Sequence, residues 1–163
     1  METIQRKGET GLLTLLFEAW HQYQSDMEVV VSAETREGEL VGSGDGRVSG
    51  DVLSGNARWS MYAGNCAYVF VRAGILPPPG QHLCTVHPAG VIATDDGAEI
   101  WFDAKGYGLR GADQGQPHLW VLTMAVQFTT TDGRYQWLNT TLGVVVSEFD
   151  EHAGRALWRA FVP

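Results

Sequence analysis

The chain has 163 residues, 44% of them hydrophobic, which suits one domain around a single core and gives no reason to divide it. A formal net charge of -8 and a pI near 5.0 argue against sequence-independent nucleic-acid binding and disfavour an anionic membrane surface, because both need a basic face. Twenty Gly and six Pro, scattered among short β-prone runs, favour an all-β fold rich in tight turns over a helical bundle.

The chain starts polar, Met1 to Lys7, and its first apolar run is broken by Glu18 and His21. No signal peptide or membrane span is evident there, so a cytoplasmic location is expected. Gly11 to Tyr23 fits either a helix, with Leu12, Leu16, Ala19 and Trp20 on one face, or a strand, with Leu13, Leu15, Phe17 and Ala19 together. After the turn signal at Ser25-Asp26, Met27 to Glu34 is β-branched enough for a strand, reversed near Glu37-Gly38.

Gly42 to Gly50 superficially resembles a phosphate loop. It lacks the Gly-Lys-Ser/Thr ending and a following helix, so a glycine-kinked strand is expected. Asp51 to Tyr62 continues as a strand, with Trp59 and Met61 on one face and Arg58, Ser60 and Tyr62 on the other. Asn65 to Pro88 is irregular. Ala67 to Val71 fits a strand or a short helix, and Leu76-Pro77-Pro78-Pro79-Gly80 fits neither, so the region is expected to be an insertion packed outside or a lid over a site.

Two Asp-Gly corners, Thr94-Asp95-Asp96-Gly97-Ala98 and Thr131-Asp132-Gly133-Arg134-Tyr135, are expected to be tight turns that launch strands. After the first, Ala98, Ile100, Phe102 and Ala104 should face the core. After the loop at Gly111 to Pro117, Trp120, Leu122, Met124, Val126 and Phe128 share one face. The second corner leads into an expected strand from Tyr135 to Val146. Gly154 opens the last, in which Ala156, Trp158, Ala160 and Val162 alternate with Arg155, Leu157, Arg159 and Phe161. About eight antiparallel strands of this kind close into a small barrel or fold into a sandwich.

Gly44-x-Gly-x-Val-Ser-Gly50, Leu53-Ser-Gly55, Arg58-Trp59, Gly90 to Ala98 and Phe128-Thr-Thr-x-Asp-Gly-Arg-Tyr-x-Trp-Leu-Asn139 together resemble a widespread bacterial domain family of unknown function. That family is grouped with the allene-oxide-cyclase-like barrels. The match runs from about Gly42 to the C-terminus and lapses between Met61 and Pro88. The resemblance implies a closed or nearly closed antiparallel β-barrel of the calycin, lipocalin-like kind. Barrels similar to it, allene oxide cyclase and natural-product cyclases among them, hold a flexible unsaturated substrate in an apolar interior. The family offers no catalytic motif that transfers.

Within such an interior Trp59, Trp101, Trp120, Trp137 and Trp158 would line a pocket or pack the core, as would Met61 and Met124. Tyr135 and Asn139 lie two positions either side of Trp137. Facing inward, they would polarise and orient a carbonyl; facing outward, they would leave the core to Leu138 and Leu142. Glu99 is a candidate general base, His87 and His82 flank the Pro-rich excursion as acid-base candidates, and Tyr68 within it is a candidate donor. Arg58, Arg110 and Arg134 could pair with a carboxylate.

Cys66 and Cys84 form neither a metal cluster nor a disulfide framework, although Cys84 near His82 or His87 has the makings of a nucleophile. No His-x-His, Cys-x-x-Cys or Gly-x-Ser-x-Gly spacing occurs, so no metal and no cofactor are expected. The expected function is a cofactor-independent cyclase or isomerase of a hydrophobic, natural-product or oxylipin-like molecule. A non-catalytic carrier of the same fold is the rival, and a homodimer is plausible for either.

Overall fold

The computed structural model describes residues 13–24, 28–31, 38–64, 82–110 and 118–163. They form nine strands: β1 (Thr14–Tyr23), β2 (Glu28–Val31), β3 (Gly38–Ser49), β4 (Gly55–Gly64), β5 (His82–Thr94), β6 (Glu99–Arg110), β7 (Leu119–Thr129), β8 (Leu142–Asp150) and β9 (Arg155–Val162). From β3 to β9 each strand pairs antiparallel with the next. β1 lies between β9 and β3, so eight strands close into a barrel. β2 is a short addition on Gly38 to Val41 of β3.

The stretch open to helix or strand, Gly11 to Tyr23, thus contributes β1. Hydrogen bonding to neighbours on both sides decides its conformation, which periodicity alone could not. A bulge between Leu15 and Phe17 resets its alternation: Leu16 and Phe17 are both buried, while Leu13 and Leu15 stay exposed.

The remaining strands sort their residues as alternation requires. Trp59 and Met61 point inward, as do Ile100 and Phe102 and the set from Trp120 to Phe128. Gly44 makes room for one of these rings, since a Cβ there would lie 2.3 Å from Cζ2 of Trp59. The interior is apolar and charges such as Glu18, Asp103 and Arg159 stand outside, the reverse of a porin-type membrane barrel. No helix among the described residues is long and apolar enough to cross a membrane.

Two expectations are corrected. The irregular region does not extend to Pro88, because His82 to Pro88 form the first half of β5, in which Thr85 to Pro88 pair with β4 and His82 to Val86 with β6. Pro88 has no N–H to give, and the β5–β6 ladder is interrupted between Val86 and Ala89. Nor is Tyr135 to Val146 one strand. Gln136–Thr140 is a 3-10 helix and β8 starts at Leu142, because the Asn139 side chain accepts from Thr130 N and donates to Thr130 O, binding the main chain in place of a neighbouring strand. The expected segments Ala67 to Val71, Leu76 to Gly80 and Gly111 to Pro117 lie outside the described residues.

Candidate functional site

The lower end of the barrel, where β5 turns into β6 and β7 connects to β8, is closed by a polar clasp over an apolar plug. The first Asp-Gly corner is the tight turn expected of it: Gly97 adopts φ 90°, and its N–H donates to the Thr94 carbonyl at 3.1 Å. Asp96 accepts from Thr94 Oγ1 at 2.5 Å and from the Tyr135 hydroxyl at 2.8 Å. These bonds hold the Asp96 carboxyl below its ordinary value, and the same contact raises the Tyr135 phenol.

Arg134 binds Asp132 at 2.7 Å and Asp96 at 2.9 Å, and its contact with Asp132 lowers that carboxyl to about 2. Beneath them Leu138 is fully buried. Tyr135 and Asn139 therefore act on the turns that close the barrel. Trp137 is 43% exposed, so the three do not share one inward strand face. The second Asp-Gly corner is also not a two-residue hairpin, since β7 ends at Thr129 and β8 begins only at Leu142.

Above the plug the interior is built around aromatic rings. Trp59 and Trp158 stack with centroids 5.7 Å apart, and His21 lies 4.4 Å from Trp158. Tyr23 packs between Trp59 and Phe149, at 4.7 and 4.4 Å. Small cavities of about 20 Å³ and about 10 Å³ lie on either side of this layer. Met61, Cys84, Trp120 and Leu122 line the upper one; Phe17, His21, Phe102 and Trp158 line the lower. Each has room for about one water, so a larger guest requires side chains to move.

The polar groups of this interior differ sharply in their partners. Trp59 Nε1–H donates to His21 Nδ1 at 3.0 Å. An indole nitrogen can only donate, so Nδ1 accepts and the proton of the neutral ring sits on Nε2. Burial pushes His21 down to about 4, against the opposing pull of the Asp45 backbone, so the ring is neutral at pH 7. Its Nε2, together with Trp158 Nε1 and Ser147 Oγ, is buried with no partner among the described residues. At the upper end Glu151, in contrast, accepts from Trp120 Nε1 and lies 3.4 Å from Arg110 Nη1, a buried pair that fixes the rim.

Of the site residues expected from sequence, Trp59, Trp158, Met61, Trp120 and Met124 are brought together inside the barrel. Trp101, Glu99 and His87 are not. Trp101 is 59% exposed on the outer face, with Glu99 on the same side of β6, and His87 Nε2 meets Asp103 at 2.9 Å outside. Cys84 faces inward, away from His87. Arg110 is committed to Glu151. Tyr68 and Cys66 lie outside the described residues.

Sequence reasoning passed over His21, Ser147 and Tyr23. The available signal was alternation: His21 continues the row of Phe17, Ala19 and Tyr23, and Ser147 that of Val145 and Phe149.

No family model matches the chain, and no curated protein matches it. Among solved structures it is similar to a β-barrel-like protein from Acinetobacter baumannii, with a TM-score of 0.70 and 16% identity over 96% of this chain and 99% of the other. It is also similar to a conserved protein of unknown function from Rhodopseudomonas palustris, with a TM-score of 0.68 and 17% identity over 92% and 95%. An enzyme from Penicillium herquei matches at a TM-score of 0.52 and 15% identity over 91% and 92%. At these identities the likeness establishes the fold, a β-barrel shared with bacterial proteins of unknown function.

Proposed function

We propose that this barrel takes a small, unsaturated hydrophobic molecule into its interior and isomerises or cyclises it without a cofactor, after the manner of the allene-oxide-cyclase-like barrels. The observation that carries this reading is the neutral His21, held in one tautomer inside a layer of aromatic rings between two apolar cavities. Such a wall confines a flexible chain, and confinement in a reactive shape can supply several kcal/mol of barrier lowering. A neutral imidazole N–H can polarise an oxygen on the guest without putting a charge in the core. Entry is from the upper end, because Leu138 and the Tyr135 clasp fill the lower one. Met61 and Met124 are the side chains able to make room, unbranched thioethers being adaptable packers.

Incubating the protein with small-molecule extract of its host, followed by chromatography and mass spectrometry, tests the reading. An isomer of unchanged mass is the expected product. A compound retained unchanged would mean a carrier, and a change of mass would mean other chemistry.

The small size of the cavities favours a second reading, a packed barrel that acts through its surface. Leu83, Leu109 and Val121 stand side by side on the outside of β5, β6 and β7, each more than a third exposed. Failure of every small apolar probe to enter the interior would select it.

A further inference from the structure

We propose that His21, Trp158 and Ser147 form a receptor for a single neutral oxygen acceptor of the bound molecule, a ketone, aldehyde or enone carbonyl. This deepens the small-molecule reading above and rests on it. The three side chains are 1%, 2% and 1% exposed, and each carries a polar atom with no partner among the described residues. Trp158 joins the group: its ring lies 4.4 Å from that of His21, and it is directly opposite Ser147 in the β8–β9 register. A buried polar atom left unpaired costs about 1–3 kcal/mol, and folded proteins retain few of them.

The chemistry of the three atoms selects the missing partner. Trp158 Nε1 is a donor only, and His21 Nε2 becomes one because Trp59 Nε1–H occupies Nδ1. Two fixed donors call for an acceptor, and a carbonyl oxygen has two lone pairs to offer. The Ser147 hydroxyl can donate to the same atom or accept from a neighbouring group. A carboxylate fits poorly. The described interior has one cationic side chain, Arg110, and it is already paired with Glu151 at the upper rim. A neutral carbonyl brings no charge to be desolvated. Trp59 is the positioning residue, because it decides which imidazole nitrogen bears the proton.

The test is a nitrogen-15 NMR titration of the full chain with cyclohexanone and, in parallel, with methylenecyclohexane, which has the same shape and no acceptor. The expected result is that the ketone binds about tenfold more tightly, the worth of one net hydrogen bond or a little more. It should also shift the Trp158 indole and His21 Nε2–H signals, identified by their loss in Trp158→Phe and His21→Phe. Ser147→Ala, which removes only a hydroxyl, should reduce the preference while leaving the other indole signals in place. Trp59→Phe should erode it by freeing the His21 tautomer.

Equal affinity for the two probes would overturn the receptor and leave the apolar-pocket reading standing. An ordered water bridging the three groups and retained beside the bound ketone would also overturn it. Binding of neither probe would overturn both.

Discussion

The lower end of the barrel and its aromatic layer treat polar groups in opposite ways. At the lower end Thr94, Asp96, Asp132, Arg134, Tyr135 and Asn139 bond to one another and to the turns they hold. In the aromatic layer and beside it, His21, Trp158 and Ser147 keep polar atoms buried and, among the described residues, unpartnered. A satisfied network stabilises a connection, whereas an unsatisfied one lowers stability and persists where something else meets its need. The sequence motifs that stand out most therefore belong to architecture, and the groups suited to recognition sit among ordinary core residues.

The largest effect should come from removing a partner in a pair that is satisfied. Glu151→Ala strands the buried Arg110 guanidinium and the Trp120 indole N–H, and should lower unfolding free energy by about 3–5 kcal/mol in a denaturant titration. Leu138→Ala at the plug should cost about 2–5 kcal/mol while leaving the affinity of the folded protein for cyclohexanone unchanged. A folded Leu138→Ala protein with lost affinity would break the division between the two regions.

His21 links its region to pH. Its folded value of about 4 lies below the ordinary 6.5, so the unfolded chain binds the proton first as pH falls. Its neutral form contributes full stability above about 6.5. That contribution declines between 6.5 and about 4, to a total of about 3 kcal/mol, and levels off below. His21→Phe should flatten this part of the stability–pH curve.

The smallest effects compare the two Asp-Gly corners. Gly97→Ala should cost about 1 kcal/mol, because φ 90° is unfavourable to a side chain even though nothing crowds it. Gly133→Ala, with equally open surroundings and no positive φ, should stay within about 0.5 kcal/mol of the parent.

Much of the barrel was legible because a strand with one wet face writes its orientation into every second residue. Ala98 to Ala104 face inward as expected, and Trp120 to Phe128 and Ala156 to Val162 each share one face, as alternation predicts, which proves to be the inner one. The rule failed where something other than alternation set the backbone. A bulge shifted β1, and Asn139 bound main-chain groups that a strand neighbour would otherwise take. Aromatic character was only a partial guide to the site, since Trp59, Trp120 and Trp158 are buried as one reading expected. Trp101 and Trp137 are on the surface, whereas Trp158 and the less conspicuous His21 meet inside.

By itself the sequence determined the all-β class, the approximate number of strands, the alternating rows along them and the tight turn at Gly97, because each follows from period-2 patterning or from the torsional freedom of one residue. Closure decided the rest. Only when β1 pairs with both β9 and β3 does His21 come to rest against Trp59 and Trp158, 38 and 137 positions along the chain from it. The tautomer of that ring and its neutrality depend on contacts with β3 and β4 and on burial, which no local pattern specifies. Whether a buried polar group has a partner is a property of the closed barrel, and those of His21, Trp158 and Ser147, which lack one among the described residues, became visible only there.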